Sequence, residues 1–188
     1  GQSPDPSTNA RATPIHATTS YVFNDTDHAA NLFGLGEFGY IYNRLHNPTT
    51  DILEQRLAAL DGGVAGIAFA SGSAAITASI LTLAHSGQNI ISSTSLYGGT
   101  WNLFTTTFKS LGIGVKFFNP DNPEEIKELA DENTRCVYFE SVCNPKNDVP
   151  DIKKITDISH DLGLPTICDN TVLTPAIFRP IEHGVDIV

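Results

Sequence analysis

Short apolar runs alternate with amphipathic segments over most of the 188-residue chain. Between Thr49 and Leu60, apolar residues recur at three- and four-residue spacing, which predicts a helix that ends at Gly62-Gly63. The same criteria predict further helices over 74–84, 100–111, 123–130 and 152–162, and strands over 66–70, 89–92, 115–118, 135–139 and 166–168. Short apolar strands separated by helices are typical of a parallel sheet in a three-layer α/β domain.

Residues 1–50 lack this periodicity and are rich in Thr, Asn and Gly. Such a composition predicts an irregular arm that covers another surface rather than a core of its own. We therefore expect two parts: an N-terminal arm, residues 1–50, and a partial large domain, residues 51–188. The chain contains no Met, and Asp186-Ile187-Val188 is typical of the start of a strand. We expect the sequence to be a segment of a longer protein.

Charge and composition exclude several classes of protein. The 11 Lys and Arg against 21 Asp and Glu give a net charge of -10, which argues against a nucleic-acid partner. No apolar run approaches the roughly 20 residues of a membrane span, and the polar start does not resemble a signal peptide. The three cysteines and six histidines show no metal-type spacing. We expect reduced thiols, no metal and a cytoplasmic location.

Candidate chemistry lies where the predicted strands end, because ligands of parallel α/β sheets bind at the carboxyl ends of the strands. Ser71-Gly72-Ser73 follows a predicted strand and opens a helix, so its free N–H groups and the positive helix end favour a phosphate. The alternative is that Ser71 or Ser73 only caps the helix while Gly72 eases the turn. Rossmann, Walker-type and nucleophile-elbow motifs are absent from the sequence.

Three other strand-end residues each allow two interpretations. Tyr97 precedes two glycines and is either a stacking surface for a flat ligand or an ordinary surface aromatic. Asp169 ends an apolar strand, where a carboxylate needs a cation or an N–H donor from a ligand or from a helix cap. Asn144-Pro145, shortly after Glu140, is either part of a ligand site or simple turn chemistry.

These stretches, taken in series, resemble the cystathionine γ-synthase-like family of pyridoxal-phosphate enzymes of cysteine and methionine metabolism. The matching motifs are Thr13–Tyr21, Tyr42–Thr49 (similar to Y-x-R-x-x-N-P-T), Ala70–Ala75, Leu96–Thr100, Glu140–Pro145 and Asp169–Thr171. They cover essentially the whole chain. The resemblance implies the type I, aspartate-aminotransferase-like fold, incomplete at the C-terminus, and pyridoxal 5'-phosphate as the cofactor.

The resemblance also implies roles for individual residues in the cofactor site. Ser71, Gly72 and Ser73 would bind the cofactor phosphate, and Asn144 would donate a hydrogen bond to the 3' oxygen of the ring. Two residues would take part in catalysis: Tyr97 would stack on the pyridine ring, and Asp169 would pair with the ring nitrogen and keep it protonated.

Tyr42 and Arg44 resemble the pair that reaches the phosphate of a neighbouring subunit. This implies a homodimer as the catalytic unit and a homotetramer as the assembly. The lysine that carries the cofactor in this family is expected beyond Val188.

Within the family, Thr18–Phe23, Asp27–Ala30, Gly34–Ile41 and Asn144–Lys146 are similar to one branch. Enzymes of that branch replace the acetoxy group of O-acetyl-L-homoserine with sulfide and release L-homocysteine and acetate. Two alternatives stay open at this point. The same scaffold supports cystathionine γ-synthase and methionine γ-lyase activities, and the chain by itself can be a non-catalytic fragment.

Overall fold

Residues 2–188 are described by the computed structural model of the protein. The helices are α1 (Thr26–Phe33), α2 (Pro48–Asp61), α3 (Gly72–Leu83), α4 (Gly98–Asn102), α5 (Glu125–Leu129), α6 (Ile152–Asp161) and α7 (Thr174–Ile177). The strands are β1 (Asn89–Ser93), β2 (Gly114–Phe118), β3 (Thr134–Glu140) and β4 (Thr166–Asp169). A π-helix (Leu103–Phe108) continues α4, and a 3-10 turn (Pro180–His183) follows α7. None of the helices in the described part is both long and apolar enough to cross a bilayer.

The chain forms two compact units, which are described separately. The first contains the residues up to Ala59 together with Gly63–Ala68, and the second contains Leu60–Gly62 and Phe69–Val188. That residues 1–50 form an arm on a neighbouring subunit stays a prediction.

The second unit is built on a four-stranded parallel sheet with the strand order β2-β1-β3-β4. Ile187 extends it by a parallel bridge to Ile167 next to β4. In this bridge, the Ile187 N–H donates to the Thr166 carbonyl at 3.0 Å, and the Cys168 N–H donates to the Ile187 carbonyl at 2.8 Å. The parallel α/β architecture and the strand-like end of the chain are as predicted.

Both faces of the sheet are covered, because successive strand residues point to opposite sides. Ile90 belongs to one apolar cluster with residues of α3 and of the π-helix, whereas Ile91 belongs to a second cluster with residues of α5 and α6. Tyr138 and Phe139 of β3 divide in the same way. These two cores separate three layers, which confirms the predicted layer arrangement.

In the first unit, polar side chains hold irregular segments together. Asn47 donates through Nδ2 to the His16 carbonyl at 2.9 Å and accepts through Oδ1 from the Thr49 N–H at 2.8 Å. The Thr49 hydroxyl accepts from the His16 N–H at 2.9 Å and donates to the Pro14 carbonyl at 3.0 Å. The beginning of α2 is thereby joined to residues 14–16.

The predicted strand over 66–70 does not form. Ile67 and Phe69 are 77% and 45% exposed, and the Ala68 N–H donates to Glu54 Oε1 at 2.7 Å. A strand needs a neighbouring strand to accept and donate its backbone hydrogen bonds, and here a side-chain carboxylate takes one of them instead.

Four helices also differ from the sequence-based expectation, and one of them, α7, was not predicted at all. Helix α1 lies in the region expected to be irregular, and it begins where the Asp25 carboxylate accepts the His28 N–H at 2.8 Å. The helix expected over 100–111 starts at Gly98 and contains the π-helical turn, in which the buried Phe104 and Phe108 rings pack 5.3 Å apart. Helix α5 begins only at Glu125.

Candidate active site

A cavity of about 280 Å³ opens in the second unit where β3 and β4 end and α3 begins. All the second-unit residues that the sequence analysis selected line it: Ser71, Gly72, Ser73, Tyr97, Asn144 and Asp169. Tyr97, Asn144 and Asp169 lie at or after the ends of β1, β3 and β4, whereas Ser71, Gly72 and Ser73 begin α3 without a strand directly before them. The structure therefore collects these residues into one site, as predicted for the carboxyl ends of a parallel sheet.

The N-terminus of α3 combines a helix cap with free backbone donors. Ser71 is the N-cap, and its hydroxyl accepts the Ala74 N–H at 3.1 Å. The N–H groups of Gly72 and Ser73 make no hydrogen bond to other residues of the described part. The cap interpretation is thus correct for the Ser71 side chain, while two donors at the positive end of a 12-residue helix stay free for an anion.

Asp169 ends β4 with one of its two carboxylate oxygens engaged. Oδ1 accepts the Thr171 N–H at 3.0 Å and also the Thr171 hydroxyl. No donor among residues 2–188 reaches Oδ2, and no ion pair of the described residues includes Asp169. The arrangement leaves a carboxylate oxygen available to a cationic N–H of a ligand.

A buried hydrogen-bond chain fixes the backbone on both sides of Asp169. The Ser141 hydroxyl donates to Asn170 Oδ1 at 2.7 Å, and Asn170 Nδ2 donates to the Phe178 carbonyl at 2.8 Å. Ser141 and Asn170 are 1% and 7% exposed. Because all of these groups are satisfied within the protein, the end of β4 is held rigidly.

Tyr97 lies in the turn before α4, and its ring is half-exposed at the cavity. A Cβ atom added to Gly99 would lie 2.4 Å from Cε1 of this ring. Gly99 therefore provides the space that the ring occupies. The position allows Tyr97 to stack on a flat ligand in the cavity.

Asn144 belongs to a turn that hydrogen bonds close at its base. The Cys143 N–H donates to the Asp148 carbonyl at 3.0 Å, and Asp148 Oδ2 accepts the Ser95 hydroxyl at 2.8 Å. The side-chain amide of Asn144 has no partner among the described residues and is exposed at the cavity. It is free to bind a ligand oxygen.

Glu140, to which the sequence analysis assigned no role, also lines the cavity. It is the last residue of β3, pairs in register with Asp169, and is 5% exposed. Burial raises the pKa of this carboxyl and so does the nearby charge of Asp169, whereas the backbone N–H groups of Tyr97 and Asn144 act to lower it. An acid at the end of an otherwise apolar strand is the same signal that selected Asp169.

Tyr42 and Arg44 lie in the first unit, where they line a separate open cavity of about 690 Å³ with Tyr21, Phe23 and Phe33. The Arg44 guanidinium lies 5.0 Å from the centre of the Tyr42 ring, within the range of a cation–π contact. None of the ion pairs that the described residues form includes Arg44. The pair is therefore brought together, with a guanidinium that is not neutralised by a carboxylate.

One group of possible metal ligands occurs in the first unit, although histidine spacing gave no sign of it. Ligand atoms of His46, Asp51 and Glu54 lie within 4.8 Å of one another. Protein groups already engage the two carboxylates: Asp51 accepts from Gln55 at 2.8 Å, and Glu54 accepts from Ala68. We assign no metal role to this group.

The whole chain, residues 1–188, matches the family described as Cys/Met metabolism PLP-dependent enzyme. The chain belongs to this family. An O-acetyl-L-homoserine sulfhydrylase of Leptospira meyeri is 51% identical over 188 residues, which are 100% of this chain and 42% of that protein. A homocysteine/cysteine synthase of Saccharomyces cerevisiae is 51% identical over 180 residues, 95% of this chain and 40% of that protein. The chain thus spans less than half the length of these curated relatives.

A solved structure agrees with this assignment. A Campylobacter jejuni protein named O-acetylhomoserine (thiol)-lyase superposes with a TM-score of 0.90 and 44% identity, over 92% of this chain and 42% of that one. That structure contains N'-pyridoxyl-lysine-5'-monophosphate. The family, the fold class and the pyridoxal-phosphate dependence that the motifs predicted are confirmed.

Proposed function

We propose that the protein to which this chain belongs is an O-acetylhomoserine sulfhydrylase. It would replace the acetoxy group of O-acetyl-L-homoserine with sulfide and release L-homocysteine and acetate. The observation that carries the proposal is the strand-end cavity. It unites free N–H donors at a helix end, an unpaired carboxylate oxygen, an aromatic ring and a free amide. The similarity to relatives with that name supports the choice of substrate.

These groups fit pyridoxal phosphate in number and in chemistry. The cofactor carries a phosphate, a ring nitrogen, a flat ring and a ring oxygen. In the proposal, the N–H groups of Gly72 and Ser73 bind the phosphate, with Ser71 holding the helix end in shape. Asp169 Oδ2 accepts the ring N–H, the Tyr97 ring stacks on the cofactor, and the Asn144 amide donates to the ring oxygen.

When bound, the cofactor supplies an electron sink for negative charge that develops at the substrate carbons. The contribution of Asp169 is to hold a proton at the ring nitrogen, because a carboxylate in a partly buried site stabilises a cationic N–H strongly. Thr171 binds the other carboxylate oxygen and so directs Oδ2 toward the ligand. Tyr97 covers the ring and excludes water from one of its faces.

Tyr42 and Arg44 are proposed to bind the cofactor phosphate of a neighbouring subunit. The planar guanidinium of Arg44 suits a phosphate because it donates two parallel hydrogen bonds. The unneutralised charge of Arg44 supports this role. This role of Arg44 implies a two-fold dimer as the catalytic unit. We propose that the complete enzyme is a homotetramer. The three free cysteines support a location of the enzyme in the reducing cytoplasm.

The test is a substrate panel on the full-length enzyme loaded with pyridoxal phosphate. We expect homocysteine and acetate from O-acetylhomoserine with sulfide. Formation of cystathionine when cysteine replaces sulfide, at a higher kcat/KM than with sulfide, would instead assign a cystathionine γ-synthase. Release of a keto acid from methionine as the main activity would assign a methionine γ-lyase. Failure to turn over any of these substrates would refute the proposal.

A further inference from the structure

One carboxylate, that of Glu140, joins the two turns that carry Tyr97 and Asn144. Its Oε1 accepts the Tyr97 N–H at 2.6 Å, and its Oε2 accepts the Asn144 N–H at 3.4 Å. The two turns lie far apart in the amino-acid sequence. Because Glu140 ends an interior, buried strand of the sheet, it connects both turns to the core of the second unit.

Burying the Glu140 carboxylate away from water costs free energy. It is 5% exposed, and none of the ion pairs of the described residues includes it. A buried carboxylate without a cation is tolerated only where N–H donors satisfy its oxygens. Burial raises the pKa of Glu140, and the Tyr97 and Asn144 N–H groups oppose that effect. An apolar side chain would fill the same space without this cost.

We propose that Glu140 is a positioning residue that sets the places of the Tyr97 ring and the Asn144 amide around the cofactor. The proposal rests on the proposed function, since it takes both residues as cofactor ligands. Glu140 also pairs in register with Asp169 on the adjacent strand. Three of the ligand-facing groups are therefore held by one pair of strand ends, and their mutual spacing follows from the sheet.

Two substitutions separate the two hydrogen bonds. Glu140→Gln keeps the shape of the side chain but leaves one acceptor oxygen and adds an NH2 donor. The closer Tyr97 N–H is expected to keep the oxygen, so the NH2 group then faces the Asn144 N–H. This variant should loosen the Asn144 turn more than the Tyr97 turn. Glu140→Asp keeps both acceptors but withdraws them by one methylene, so both turns should loosen.

Both substitutions are to be made in the full-length enzyme. Backbone deuterium exchange of the cofactor-free form is followed in peptides covering residues 94–101 and 141–148. The Kd for pyridoxal phosphate is then measured by absorbance titration. For Glu140→Gln, we expect faster exchange mainly in 141–148 and a Kd raised about tenfold or more, the loss typical of a hydrogen bond to a charged group. For Glu140→Asp, we expect faster exchange in both segments.

Glu125→Gln is the matched control. The Glu125 carboxylate likewise accepts a backbone N–H of a turn, that of Asn119 at 2.8 Å, but it does not line the cavity. We expect this variant to leave the cofactor Kd and the exchange of both segments unchanged. The same result for Glu125→Gln and Glu140→Gln would overturn the proposal.

Two further outcomes are decisive. If the Glu140 variants unfold at a lower temperature but bind the cofactor with unchanged Kd below that temperature, Glu140 is merely structural and the proposal fails. If the exchange and Kd changes occur in an enzyme that does not convert O-acetylhomoserine, the role of Glu140 holds and only the assigned reaction fails.

Discussion

The two compact units differ in where their apolar side chains lie. In the second unit, the rings of Phe108 and Tyr138 are completely buried between the sheet and the helices. In the first unit, Leu32 is the only large apolar side chain of the described residues that is buried, whereas Val22 and Phe38 are 96% and 83% exposed. Helix α2 contributes no buried residue at all.

This contrast shows that the units depend on different sources of stability. Removing apolar surface from water provides about 25 cal/mol per Å², and only the second unit removes much of it by its own folding. The first unit is held by polar side-chain contacts between its segments, such as those of Asn47 and Thr49. Its exposed apolar side chains support the proposal that it covers a neighbouring subunit. The predictions below test this difference.

A pair of identical truncations, one in each unit, should give the largest difference. Phe108→Ala removes a ring from the core of the second unit and should cost about 3–5 kcal/mol of unfolding free energy. Phe38→Ala removes an exposed ring and should cost a single subunit only about 0.5 kcal/mol or less. The measurement is denaturant unfolding of the full-length enzyme at several protein concentrations.

The concentration dependence sharpens this test. Phe108→Ala should destabilise the enzyme equally at all concentrations, while any loss for Phe38→Ala should be largest at high protein concentration and shrink on dilution, because it acts through association. Equal losses that do not depend on concentration would show that the first unit has a core of its own.

Asp169→Asn tests whether the strand-end cavity of the second unit supplies the chemistry. A neutral amide does not hold the proton at the ring nitrogen, so turnover should fall while the cofactor still binds. Loss of a partly buried ion pair suggests about 2–4 kcal/mol, or about 30- to 1000-fold in kcat. The control is Asp157→Asn on α6, whose side chain is 58% exposed. Near-normal turnover of the Asp169 variant would remove this residue from the mechanism.

Arg44→Ala tests whether the first unit acts on a neighbouring subunit. Full-length Arg44→Ala and Asp169→Ala variants, each inactive alone, are mixed under conditions of subunit exchange. In a two-fold dimer, half of the random pairs are hybrids, and each hybrid contains one site with both residues intact. About a quarter of the wild-type sites should therefore recover. If Arg44 serves its own subunit, mixing will restore no activity.

The smallest effect is expected for the thiols, which all lie in the second unit. Burial raises the pKa of Cys136 to about 12, so at pH 8 only about one thiol in ten thousand is ionised and reactive. Iodoacetamide at pH 8 should therefore leave Cys136 unlabelled in the native enzyme and modify it after unfolding in guanidinium chloride. Mass mapping of the labelled peptides provides the measurement. Rapid labelling of the native enzyme would show that this core opens readily.

Sequence patterns predicted the second unit better than the first. Strands β1 to β4 and helices α3 and α6 have apolar spacing that burial requires, so periodicity located them within a few residues. The segment 66–70 has a strand-like composition, but strand formation depends on a pairing partner that a local pattern does not specify. The π-helical turn shifts backbone hydrogen bonds while its apolar side chains stay buried. The spacing of apolar residues in the sequence does not reveal such a shift either.

The site shows the same limit. Ser71, Tyr97, Asn144 and Asp169 were selected because each lies at or after the end of a predicted strand, and the folded chain brings them together although no strand forms directly before Ser71. Glu140 received no role because its importance lies in a contact with the backbone of Tyr97, 43 residues away in the chain. Contacts of this range depend on the folded sheet. The position of an acid at a strand end was the one signal available beforehand.

Groups of opposite charge line the strand-end cavity on different elements, and this gives the cavity a direction. The first turn of α3 presents positive N–H groups, whereas Asp169 and Glu140 place two carboxylates at the ends of β4 and β3. A molecule with a phosphate at one end and a protonated nitrogen at the other experiences a torque that aligns it before contact. The reversed orientation would bring phosphate against the carboxylates. The electric field of the folded chain thus favours one orientation of the incoming molecule over the reversed one.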